Sequence, residues 1–96
     1  HMEMEAGTPH TRIRITDTPP ENFCKPSANP MIRSLIKIYG ANLLLAVLTG
    51  MGTDALAGAT QLAEAGGTVI AQDQETSVVW GMPGAVATTA KSGNGL

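Results

Sequence analysis

The chain has 96 residues and a formal net charge of −2, which bounds it to one small domain or a piece of a larger one. It carries no basic cluster, no charged-then-apolar leader and no apolar run long enough to span a bilayer, so neither nucleic-acid binding nor membrane insertion is expected. Apolar residues make up 43% of the chain, yet it holds one Trp, one Tyr and one Phe, so its core must come from Leu, Ile, Val, Ala and Met.

Met2 to Glu5 alternates weakly between apolar and polar, and Gly7-Thr8-Pro9 reads as a turn. Arg12-Ile13-Arg14-Ile15 alternates with period two, the mark of a half-buried strand. Residues 1–16 therefore read as a β-hairpin with a loose loop. Residues 17–28 hold three prolines and little periodicity and read as an extended loop. Cys24 lies in it without a partner cysteine. A lone thiol cannot form an internal disulfide, which points to a cytoplasmic setting.

Residues 29–90 read as an αβαβα unit. Asn29 is expected as N-cap and Pro30 as first residue of a helix that buries Ile32, Leu35, Ile36 and Tyr39, with Arg33 and Lys37 toward water and Gly40 as the stop. Leu43 to Leu48 is a continuous apolar run, as in a strand covered on both faces. A second helix after Asp54 turns Leu56, Ala59, Leu62 and Ala63 inward and ends at Gly66-Gly67. Thr68 to Ala71 is the next strand, and the strand–helix–strand order makes a right-handed parallel βαβ unit. Thr76 or Ser77 is expected to cap a short helical segment through Trp80, and Pro83 to start a last helix over Gly84 to Ala90. Residues 91–96 read as a tail. The expected fold class is α/β: a partial doubly wound parallel sheet with flanking helices and an N-terminal β-hairpin.

The chemistry gathers in Leu48-Thr49-Gly50-Met51-Gly52-Thr53-Asp54, where a strand runs into a glycine turn that delivers one carboxylate. In open α/β sheets, ligands and catalytic groups collect outside the carboxyl ends of strands. Three uses fit. Gly50 to Ala55 matches the G-x-G-x-x-G/A dinucleotide pattern, with Asp73 about twenty residues on; against it, Asp54 would meet a pyrophosphate with like charge at the helix N-terminus. Asp54 could simply cap the following helix. Or glycines around Met51 could open backbone N–H groups to an oxyanion, with Asp54 as the acid of a hydrolase triad. No G-x-S-x-G elbow and no well-placed His base accompany it, so any partner of Asp54 must come from outside these residues. His1, His10, Asp73 and Glu75 are too dispersed to form a metal site, and no metal or organic cofactor is expected.

The Leu48–Asp54 stretch resembles the L-T-G-M-G-x-D signature of the chemotaxis protein-glutamate methylesterases (CheB-type). Ala65-Gly66-Gly67, Ile70-Ala71-Gln72-Asp73, Thr76-Ser77 and Val79-Trp80-Gly81-Met82-Pro83 continue the likeness in order. So do Pro19-Pro20, Asn22, Pro26, Arg33-Ser34 and the spacing of His1-Met2, which on the residues alone could be a cloning remnant. The likeness covers nearly the whole chain and corresponds to the C-terminal half of the methylesterase domain. It implies hydrolysis of glutamate methyl esters on chemoreceptor cytoplasmic helices in chemotaxis signalling, with glutamine deamidation beside it. It implies Asp54 as the triad acid that orients a His, and Met51 as the donor of an oxyanion N–H, with Gly50 and Gly52 shaping the turn. The family's Ser and His lie on strands outside this sequence, so the isolated chain is expected to be inactive. The alternative is an assembly module: sheet edges left open by the rest of the domain could drive homo-oligomers. One departure stands out. Ala55 occupies a position usually Gly in the family, tolerable in a helical turn but costly if φ is positive.

Overall fold

A computed structural model describes residues 1–7, 10–89 and 94–95. Two strands, β1 (Met2–Glu5) and β2 (Arg12–Ile15), pair antiparallel in the register Met2 to Ile15 and Glu5 to Arg12. The expected turn at Thr8-Pro9 falls outside the described residues. Helix α1 spans Ala28–Tyr39 and ends at Gly40, whose φ is 56°. Strand β3 (Leu44–Val47), helix α2 (Leu56–Glu64) and strand β4 (Thr68–Ala71) follow. Helix α3 is Gly81–Thr89 and strand β5 is Asn94–Gly95. β3 and β4 run parallel, as the βαβ order requires, and β5 pairs parallel with β4, giving sheet order β3-β4-β5. Part of the expected tail is thus a strand; residues 90–93 and 96 lie outside the described residues.

The core sits between the parallel sheet and α2 and α3, in Val47, Ala59, Leu62, Val69, Ala71 and Val86. Full burial of side chains such as Leu62, Val69 and Val86 stabilises the fold by roughly 1.5–3 kcal/mol each. The hairpin packs on α1 through Ser34. Its buried hydroxyl accepts the Met4 N–H at 2.8 Å and donates to Met31 O at 2.7 Å.

Several local expectations change. The α1 cap is Ser27, whose hydroxyl accepts the Asn29 N–H at 3.2 Å, so Pro30 is the third helical residue. Pro30 still fits, because the first four N–H groups of a helix have no intrahelical partner. Tyr39 lies on the helix flank rather than in the core and exchanges a hydrogen bond with Thr11 at 2.8 Å. Arg33 pairs with Glu21 instead of pointing to water. Residues 74–76 form a turn and 77–80 are not helical; α3 begins at Gly81, ahead of Pro83. β3 is apolar but not covered on both faces: Leu44 and the following Leu48 are 63% and 55% exposed. Its position at the edge of the described sheet leaves that side open.

Candidate active site

The turn after β3 is fixed from one side. The segment from Gln72 to Met82 leaves β4 and runs against this turn. The Gly50 N–H donates to Val79 O at 2.9 Å, and Gly50 O accepts the Met82 N–H at 2.8 Å. Thr49 Oγ1 bonds both the N–H and the C=O of Val79. The Thr49 N–H donates to Gln72 Oε1 at 2.7 Å, and Gln72 Nε2 in turn donates to Thr76 O. Gly81 lies so close that a Cβ there would stand 2.9 Å from Gly52 N and 3.1 Å from Gly50 O. Gly52 has φ +92°, which a side chain resists. Among the described residues, no hydrogen bond engages the N–H of Met51, Gly52 or Thr53.

Asp54 is fixed from the other side. Its Oδ1 accepts the Ser27 hydroxyl at 2.6 Å, and its Oδ2 accepts the Ala28 N–H at 2.9 Å. The expected role as cap of the following helix is therefore corrected: Asp54 closes the N-terminus of α1, which has no acidic residue in its own first turn. A carboxylate there interacts favourably with the helix dipole, by about 0.3–1 kcal/mol. Asn29 returns the relation, since its Oδ1 accepts the Gly58 N–H of α2 at 2.9 Å. The residue before α2 is Ala55, with φ 75° and no side-chain cap. The Leu56 N–H meanwhile bonds Thr53 O. With Leu56 and Gly58 engaged in this way, the first turn of α2 is a poor pyrophosphate cradle, against the dinucleotide pattern.

His1, Ser27 and Asp54 come together, but not as a triad. The Ser27 N–H donates to His1 Nδ1 at 2.9 Å, so His1 Nε2 carries the proton it shares with Pro19 O at 2.8 Å. Both ring nitrogens are engaged, and the Ser27 hydroxyl faces a carboxylate rather than an imidazole. A nucleophilic serine needs a base at its oxygen. This set is a buried scaffold: His1 and Ser27 are only 5% and 3% exposed. Residue types alone could not have found it, because the three residues are far apart in sequence.

The remaining candidates sit at the margin. Asp73 is exposed, and the Thr76 hydroxyl and N–H hold its carboxyl below the usual range. Trp80 lies under α3 with its ring near Gly84, and its Nε1–H donates to Gln72 O at 3.3 Å. Cys24 is a free, half-buried thiol.

The family model for CheB methylesterase matches residues 1–94. The chain is 58% identical over 88 residues to a protein-glutamate methylesterase/protein-glutamine glutaminase of Azospirillum brasilense, covering 91% of this chain and 22% of that protein. It is 52% identical over 88 residues to the protein of the same description from Nocardioides sp., covering 92% of this chain and 24% of that one. The crystal structure of the Thermotoga maritima CheB methylesterase catalytic domain superposes with a TM-score of 0.93 at 31% identity, over all of this chain and 51% of that domain. The chain thus spans about a quarter of the length of these curated relatives and about half of that catalytic domain. With its turn, its sheet and nearly its whole length in agreement, the chain belongs to the CheB methylesterase family.

Proposed function

We propose that this chain supplies the acid and one oxyanion donor of a protein-glutamate methylesterase and glutaminase, acting on methylated chemoreceptors in the cytoplasm. The observation that carries the proposal is the Gly50–Asp54 turn. Its first residue is held at both backbone groups, the N–H of Met51 is open, and a carboxylate anchored by two donors follows three residues later. Each Asp54 oxygen keeps lone-pair capacity for the N–H of a histidine. In the proposed reaction, a serine from the remainder of the catalytic domain attacks the γ-carbonyl of the glutamyl ester. A histidine from the same remainder takes the serine proton, and Asp54 fixes that histidine's tautomer. The Met51 N–H stabilises the tetrahedral oxyanion, collapse releases methanol, and water frees the glutamate. Glutamine would follow the same path with ammonia as leaving group.

The test is Asp54→Asn in the full-length methylesterase carrying this segment, read as methanol release. A fall in kcat of roughly 10⁴ is expected from the wrong histidine tautomer. A loss under about tenfold would reduce Asp54 to a helix cap. The isolated chain, without serine nucleophile and base, should release no methanol.

A second property accompanies this reading. The apolar positions Leu44, Leu48, Ile13 and Ile15 are all more than half exposed. On this reading the rest of the catalytic domain covers them, and the isolated chain should self-associate through these positions and the open β3 edge.

A further inference from the structure

Between β2 and α1 the chain makes a two-residue turn that nothing above uses. Glu21 and Cys24 exchange two backbone hydrogen bonds, of 3.0 and 2.8 Å. The residues between them, Asn22 and Phe23, have φ of 49° and 63°. Two successive left-handed residues are the geometry of a type I′ turn, where Asn is common and Gly usually follows. A bulky aromatic in the second place is sterically disfavoured. The strain is not offset by burial within this chain, since the Phe23 side chain is 100% exposed.

The turn is nonetheless tied down. Glu21 accepts two hydrogen bonds from the Arg33 guanidinium, one at 2.8 Å. Asn22 Nδ2 donates to Thr53 Oγ1 at 2.9 Å. Thr53 stands between Met51 and Asp54 in the chain, so this bond sets Phe23 beside the catalytic turn. On the same turn Met51 is 81% exposed, and the Val79 backbone is bonded to Thr49 and Gly50. Strained residues persist where the surroundings hold them, and they concentrate at functional sites. A protein substrate that brings an ester to Met51 also brings its flanking residues close to Thr53, to which the Phe23 turn is bonded.

We infer that Phe23 is a specificity residue that packs against an apolar side chain flanking the esterified glutamate of the protein substrate. The inference rests on the esterase reading above. Its test uses the full-length methylesterase and two peptides bearing a glutamate γ-methyl ester, one flanked by Leu and one by Ser. In Phe23→Ala and Phe23→Gly, KM for the Leu peptide should rise about tenfold, the scale of one lost apolar contact, with kcat and the Ser peptide nearly unchanged. Phe23→Gly should melt no lower than the parent, because glycine relieves the left-handed strain. Equal changes for both peptides, or none for either, would overturn the inference. So would a lower melting temperature of Phe23→Gly with a fall in kcat, which would place Phe23 in a contact within the enzyme. A parent enzyme that hydrolyses neither peptide would instead sink the esterase reading, and Phe23 with it.

Discussion

The Ser27 hydroxyl donates to Asp54 Oδ1 at 2.6 Å while its lone pair caps α1 through the Asn29 N–H. One buried hydroxyl thus joins the start of a helix to the proposed triad acid. Ser27→Ala should lower the unfolding free energy by about 1–2 kcal/mol, through the lost cap and an under-satisfied carboxylate. Asp54 would keep the Ala28 N–H, so kcat in the full enzyme should fall by no more than about a hundredfold. Deletion of a nucleophile would cost on the order of 10⁶. Urea unfolding together with methanol release separates the two roles, and complete loss of activity in the folded variant would mean that Ser27 is the nucleophile after all.

The two helices cap each other, Asp54 serving α1 and Asn29 serving α2. Their crossing is close as well: a Cβ on Gly58 would lie 2.8 Å from both Cβ and Cδ1 of Ile32. Gly58→Ala gains about 1 kcal/mol in helix propensity but must displace a side chain that is 1% exposed. Overpacking of that kind costs roughly 1–3 kcal/mol, so a net loss is expected. Ile32→Ala should recover part of it, and a thermal double-mutant cycle would show the non-additivity. Strict additivity would mean that the helices do not meet there.

What the sequence revealed and what it hid divide along one physical line. Leu43–Asp54 could be read because a strand followed by a glycine turn is a local pattern, and the Ile32 and Leu62 faces could be read from helical period. Asn29 could not: a local rule makes it the cap of its own helix, but its partner is Gly58, twenty-nine residues away. The same holds for Asp54 with Ala28 and for Gln72 with Thr49, pairings that only the tertiary fold brings into reach. The Thr76–Trp80 stretch looked helical by its cap signal, but Thr76 and Ser77 close a turn onto Asp73 and Val79 is bonded to Thr49 and Gly50 instead of continuing a helix. Leu44 and Leu48 looked buried because they are apolar. Composition records what a strand can pack against, not whether the partner is present.

Gly81 separates positioning from stability. Any side chain there would push on Gly52 N and on the Cα of Met51, the backbone proposed to present the oxyanion donor. In the full enzyme, Gly81→Ala should reduce kcat by about 10–10³, the range for a misplaced or lost oxyanion donor, with KM within a few-fold of the parent. A rise in KM at constant kcat would put Gly81 in substrate binding instead.

Ala55 holds a left-handed conformation, with φ 75°, at a position 3% exposed. A glycine in its place would relieve about 1–2 kcal/mol of strain. It would also give up a buried methyl of about 0.8 kcal/mol and add unfolded-chain entropy worth about 0.4–1 kcal/mol. Ala55→Gly should therefore sit within about 1 kcal/mol of neutral. Ala55→Val should destabilise clearly, since β-branching resists positive φ. Equal stability of the Val and Gly variants in chemical denaturation would show that this turn relaxes.

The ion pair of Glu21 and Arg33 sets a pH dependence. The guanidinium's hydrogen bonds hold the Glu21 carboxyl below its usual range, and Arg33 is raised in return. A folded pKa below the unfolded one means that the stabilisation is fully present above the ordinary glutamate value and is lost as pH falls through the folded pKa. Both side chains are about one-third exposed, so solvent screening keeps the effect to no more than about 1 kcal/mol. Glu21→Gln should thus be less stable than the parent near about pH 7, with the gap closing near about pH 3. Unfolding curves at the two pH values measure it directly. A gap of the same size at both would mean that the Gln variant loses packing rather than charge, and that Arg33 does not anchor the Phe23 turn through its guanidinium.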